Sequence, residues 1–169
     1  ENTDEGALLR VQADNLNQPF DINQGAKLDM GSSAKLRTLI TYLQLVAELH
    51  GQYAGLSRAA LLKLKVADKD LLMQWVVRYL ASAEDKALTP MLEAAMSRTY
   101  SASPGESFFT GGGVHRFANF HRDDDHKVMD MWEATRNSVN LPFIRLMRDI
   151  VRHFMYRDPK GAAQILEDA

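Results

Sequence analysis

The sequence contains no cysteine, which excludes disulfides, thiolate metal sites and a thiol nucleophile while leaving the redox compartment open. It also has no apolar run approaching the roughly 18 residues that would cross a bilayer, and neither an initiator methionine nor a signal-peptide pattern. The chain therefore reads as a piece of a longer protein, with any anchor or export signal outside it. An excess of one charge is lacking too: 20 Lys and Arg against 22 Asp and Glu give a net charge of -2, so bulk electrostatics point to no nucleic-acid or polyphosphate partner. What is present is enough for one ordinary core, since 46% of the 169 residues are hydrophobic. No internal repeat or low-complexity tract appears.

Periodicity predicts a mainly α chain. Residues 7–13 (ALLRVQA) read as a short strand, followed by a loop containing Asn and Pro. From Ser32 the run SSAKLRTLITYLQLVAELHG predicts a helix closing on Gly51, with Leu36, Leu39, Ile40, Leu43, Val46 and Ala47 on its buried side. Ser57 is the expected cap of a helix to about Val66, and Asp68 or Asp70 caps the next, with Leu71, Leu72, Trp75, Tyr79 and Leu80 inward. Thr89-Pro90 opens a further helix. Residues 101–127, rich in Gly, Ser and charge, read as a long ordered loop. Asp130 and Glu133 fit a capping box for a short helix to Arg136. Asn140 is the expected cap of the last helix, which buries Phe143, Leu146, Met147, Ile150, Val151 and Phe154 and ends at Asp158-Pro159.

Ser32 and Lys35 stand three residues apart at a helix start, so one turn brings hydroxyl and amine onto one face. A hydroxyl becomes nucleophilic when a base takes its proton, and a lysine can be that base if its pKa is lowered. The helix N-terminus adds partial positive charge near an oxyanion formed on an acyl group at Ser32. The plainer reading is a serine N-cap. Ser138-Val139-Asn140, between two expected helices, could relay a proton with Lys35 and hold a carbonyl, or could simply be a C-cap followed by an N-cap.

The segment GSSAKLRTL resembles the active-serine region of penicillin-binding transpeptidases, which carry Gly-Ser-Thr-x-Lys before an apolar helix. GGGVHRFANFHRDDDHKVMDMWEATRNSVNLPFIRLM is similar to the same family's later region, where an Asn-Phe or Asn-Tyr loop leads to a short helix and then SxN. The resemblance implies the helical subdomain of a penicillin-binding transpeptidase-like (serine β-lactamase-like) fold with one or two short N-terminal strands. It implies that Ser32 attacks a D-Ala-D-Ala carbonyl, that Lys35 is its base, and that Ser138 and Asn140 assist protonation and substrate placement. Peptidoglycan stem peptides and β-lactams are then the partners, with other cell-wall proteins as further candidates. No cofactor, metal or nucleic acid is implied, and the membrane enters only through an anchor outside these residues. The implied location is the periplasm or the extracytoplasmic face of a bacterial inner membrane.

Three departures stand out. The family's Lys-Thr/Ser-Gly strand is absent, and the only Lys-Gly is Lys160-Gly161. The distance from Ser32 to Ser138 is long, as though helices had been inserted between the motifs, and Leu36 stands where a proline often follows the lysine. The expected organisation is one domain: strand and loop over 1–30, the SxxK helix over 31–51, a helical insertion over 52–100, a loop over 101–129, and the SxN region with the last helix over 130–169. The parent would be the enzyme, with this piece alone inactive for want of the strand. The competing expectation is a non-catalytic helical scaffold or partner-binding module derived from that fold.

Other patterns carry less. His121, Asp123, Asp124, Asp125 and His126 look like metal ligands, but adjacent acids on a loop point in different directions and stay solvated. HRDD lacks the other kinase motifs, and Gly111-Gly112-Gly113 lacks the Lys-Ser/Thr of a phosphate loop. Arg145, Arg148 and Arg152 form a basic stripe read as a solvated helix face, and Trp75 and Trp132 are expected in or near the core.

Overall fold

The computed structural model describes residues 31–110 and 112–157, together with four two-residue strands ahead of them. The chain divides into two compact units, Glu1–Gly31 and Ser32–Ala169. In the first, β1 (Asn2–Thr3) pairs antiparallel with β2 (Gly6–Ala7), and β3 (Gln12–Ala13) with β4 (Phe20–Asp21). The one or two strands expected at the N-terminus are thus four very short ones, and the rest of the expected strand over 7–13 lies outside the described residues.

The second unit is mainly helical. Its longest helix, α1 (Ser33–Tyr53), runs through Gly51 and ends at Ala54. It buries Thr38, Leu39, Tyr42, Leu45, Val46 and Leu49, a stripe repeating every three or four residues. That stripe is rotated from the expected one: Leu36 is 58% and Ile40 47% exposed. Tyr42 explains the rotation, because its ring lies in the core while its hydroxyl donates to the Ala95 carbonyl at 3.1 Å, so an aromatic that also carries a polar tip belongs on the buried face.

Against α1 lie α2 (Arg58–Leu61), α3 (Leu71–Ser82) and α4 (Leu88–Met96). Ser57 caps α2 through the Ala60 N–H, but α2 is a single turn and stops well before Val66. Asp70, rather than Asp68, caps α3 through the Met73 N–H at 2.9 Å. In α3 the buried residues are Leu72, Met73, Val76, Val77 and Leu80, with Trp75 and Tyr79 half-buried and stacked on each other. Ala87 precedes α4, so Pro90 is its third residue, still within the first turn where no helical donor is lost. Leu72, Val76, Met91 and Ala95 share one continuous core with α1. The segment expected as an insertion is therefore packed into the core that holds the SxxK helix, and its removal would bare the apolar side of α1.

The stretch expected as a loop carries four short strands. β5 (Thr99–Ser101) pairs with β8 (Val128–Asp130), and β6 (Ser107–Thr110) forms a hairpin with β7 (Gly113–Arg116), with a single 3-10 turn at Arg122–Asp124 between the ladders. Strands this short, set among Gly and Ser, leave too little alternation to be seen in sequence. β8 leads directly into α5 (Met131–Arg136), where Asp130 accepts from the Glu133 N–H at 2.8 Å. Only that half of the expected capping box is formed among the described residues. Trp132 lies on the outside of α5, half-exposed, and so is not a core residue.

The last helix, α6 (Asn140–Tyr156), is capped by Val139 without a side-chain bond, so Asn140 is its first residue and not its cap. Its expected ending at Asp158-Pro159 lies outside the described residues. Its buried face carries Arg145, Asp149 and His153 four residues apart, beside Leu141, Phe143, Leu146 and Ile150. Met147, Val151 and Phe154, expected inside, are exposed. Each buried polar group has a partner on another element. Arg145 donates to the Ser101 and Ser103 carbonyls at 2.7 and 2.8 Å and reaches Glu106. Asp149 accepts from Arg98 at 2.8 Å and from the Tyr100 hydroxyl at 3.0 Å. His153 Nδ1 lies 2.9 Å from Asp70. The basic stripe is accordingly not a solvated face: Arg145 is buried, and Arg148 is partly covered, paired with Glu106 and set over the Phe108 ring.

Removing one partner of a buried pair leaves the other charge without compensation, which costs about 3–5 kcal/mol. Asp149→Ala should lower the unfolding free energy by about that amount in urea titration, whereas Leu36→Ala on the exposed side of α1 should change it by no more than about 0.5 kcal/mol.

Candidate functional site

Ser32 stands at the N-cap position of α1, yet its hydroxyl makes no capping bond to the helix backbone. The plainer reading of this serine therefore does not describe it. Its oxygen instead lies 3.4 Å from Lys35 Nζ, one turn along the helix. The same Nζ reaches across 103 residues of sequence to the Ser138 hydroxyl at 3.0 Å and the Ser138 carbonyl at 2.5 Å. Three of the four residues singled out from sequence thus meet at one amine.

Ser138 does not act as a helix cap either. Asn137 closes α5, and Ser138 follows it with a φ of 52°, the only positive value among the described non-glycine residues. That left-handed conformation costs a side-chain-bearing residue of order 1–2 kcal/mol. It turns the chain sharply between two helices and sends both the carbonyl and the hydroxyl toward Lys35. The turn is held by backbone bonds from Ser138 N–H to Thr135 and from Val139 N–H to Ala134.

Asn140 behaves differently. Its amide donates to the Ala118 carbonyl at 2.9 Å, and no bond joins it to Lys35, Ser32 or Ser138. Its neighbour in space is Asn119, which the sequence marked only as part of the Asn-Phe segment and to which no role was given. Asn119 accepts from the Leu141 N–H at 3.0 Å and donates to the Ala102 carbonyl at 2.7 Å and to Asp125 at 2.8 Å. One amide therefore ties the start of α6 to β5's end and to the 121–126 segment. An Asn was needed there, because the position requires a donor and an acceptor together.

Electrostatics favour a reactive amine. Desolvation by the surrounding chain holds the Lys35 pKa below the ordinary lysine value. Among the described residues no carboxylate bonds to Lys35, so nothing of opposite charge restores it. A lysine so placed can shed its proton more readily and then accept one from a hydroxyl. Of the acidic cluster, Asp124 pairs with Lys127 at 2.7 Å and Asp125 is occupied by Asn119, so the two carboxylates serve different partners. Among the described residues no group of His, Asp and Glu converges as a metal site, and no helix is long and apolar enough to cross a membrane.

Compared with protein-family models, curated proteins and solved structures, the chain matches none.

The left-handed turn gives a direct test of this geometry. Ser138→Ala and Ser138→Gly both lose the hydroxyl, but only glycine adopts positive φ freely. Ser138→Gly should therefore be more stable than Ser138→Ala by about 1 kcal/mol in urea titration. Equal stability would mean that residue 138 does not hold a left-handed backbone.

Proposed function

We propose that this chain is the helical part of a serine acyltransferase of the penicillin-binding transpeptidase type, acting on D-Ala-D-Ala stem peptides of peptidoglycan at the outer face of a bacterial inner membrane. The observation that carries the reading is the single amine set between two hydroxyls from opposite ends of the chain: Lys35 Nζ at 3.4 Å from Ser32 and 3.0 Å from Ser138. The parent protein is the enzyme in this reading, and a Lys-Thr/Ser-Gly strand is supplied from outside these residues.

The proton count supports the assignment. A neutral amine has two N–H bonds and one lone pair; the Ser138 carbonyl and hydroxyl occupy the first two, leaving the lone pair for the Ser32 hydroxyl hydrogen. As Ser32 Oγ attacks the substrate carbonyl, its proton moves to Lys35, and the oxyanion forms beside the N-terminus of a 21-residue helix. Collapse of the tetrahedral adduct expels D-alanine, whose amine takes a proton from the Lys35–Ser138 pair. The acyl group remains as an ester on Ser32 until an acceptor amine displaces it. Asn140, bonded to Ala118, lies one residue past this relay; in this reading it swings to or lies along the bound peptide.

The exposed side of α1 also supports it. Leu36 and Ile40 lie one and two turns beyond Ser32 on the same face, so a strand laid beside the serine to hold substrate would cover both. The scaffold alternative explains that apolar pair equally well but assigns no purpose to an uncapped serine, a desolvated lysine and a strained Ser138 at one point.

Fluorescent penicillin should label the parent protein and fail to label its Ser32→Ala variant. Lys35→Arg, which keeps the charge but cannot serve as a base, should cut acylation by at least about 10³-fold without loss of folding. Because the Lys35 pKa is lowered, acylation should rise with pH and level off below the ordinary lysine value of 10.5. Equal labelling of the Ser32→Ala variant would sink the assignment. The isolated chain should melt cooperatively yet form no penicillin adduct by intact mass, since one oxyanion donor alone is worth ~10²–10³ in rate.

A further inference from the structure

Beside the SxN turn the surface opens into a groove of 340 Å³ lined by Asp130, Trp132, Glu133, Arg136 and Asn137. Asn137 is joined covalently to Ser138, so one wall of the groove continues into the turn that holds Lys35. Trp132 is 52% exposed, an unusual place for the residue type with the largest apolar surface in the chain. Among the described residues no hydrogen bond or ion pair engages the Trp132 indole N–H, the Arg136 guanidinium or the Asn137 amide.

The groove thus presents one broad aromatic surface among donors and acceptors. Arg136, Asn137 and the indole N–H donate, while Asp130 and Glu133 accept. Two carboxylates against one guanidinium give it a negative sign, which disfavours phosphate or nucleic acid. An apolar peptide would leave these polar groups desolvated and unpaired. A pyranose ring meets both demands at once, because one face is a sheet of C–H groups that packs on an indole and the rim carries hydroxyls that donate and accept in alternation.

We propose that this groove binds a saccharide, with a sugar ring stacked on Trp132 and its rim held by Asn137, Arg136 and Glu133. The choice of an N-acetylhexosamine rests on the transpeptidase reading above, since the stem peptide delivered to Ser32 hangs from a chain of such sugars. The groove then fixes the glycan strand while the peptide crosses the SxN turn to the nucleophile.

The test is isothermal titration of this chain with the β-1,4-linked tetramer of N-acetylglucosamine. Wild type should bind saturably, Trp132→Phe should keep most of that affinity, and Trp132→Ala should weaken it by roughly tenfold. Circular dichroism melts confirm that both variants fold, which the exposure of Trp132 favours. No saturable binding by wild type at millimolar saccharide, or superimposable curves for wild type and Trp132→Ala, overturns the proposal. Penicillin labelling of the parent separates the two readings. Saccharide binding without labelling keeps the groove and sinks the nucleophile, and labelling without saccharide binding does the reverse.

Discussion

A carboxylate taken out of water must be met by charge and hydrogen bonds, and Asp149 is the point at which this fold satisfies that demand. Its oxygen accepts from Arg98 and Tyr100, and Arg98 also reaches the Tyr42 hydroxyl at 3.3 Å. The guanidinium lies over the rings of Tyr42, Trp75 and Tyr100, so its flat faces are covered as its edge is bonded. Four elements, α1, α3, β5 and α6, are thereby fixed to one buried ion pair. The rest follows along the chain, because β5 positions β8, β8 runs straight into α5, and α5 ends at the turn that carries Ser138.

Helix existence was legible in the sequence, and helix orientation much less so. The long runs starting at Ser32 and Asn140 have clear helical spacing, and both are helices. Their buried faces were misplaced because an apolar residue count takes no account of Tyr42, Arg145, Asp149 and His153, which are buried with partners on other elements. Those partners lie far away in sequence and cannot be seen locally. The same blindness hid the strands in 101–127, where pairing is supplied by distant backbone and not by alternation.

At the candidate site the sequence identified the residues but not how they meet. Ser32, Lys35 and Ser138 converge, while Asn140 is occupied elsewhere and Asn119, unassigned from sequence, anchors the helix that follows. Two local rules are broken within this small region: a serine at an N-cap position makes no cap, and a residue with a side chain takes a left-handed backbone. Violations of local preference concentrate where surrounding structure imposes them, and functional sites are their commonest address.

The separation of the two motifs has a consequence for synthesis. Ser32 and Lys35 leave the ribosome about a hundred residues before Ser138, and α6, with the ion pairs that seat it, is made later still. Contacts so distant in sequence close slowly, after local helices have formed. Throughout that interval the growing chain carries its hydroxyl and amine without the partner that orients them. The chemistry of the site is thus withheld from the nascent polypeptide until nearly all of the helical unit has been translated.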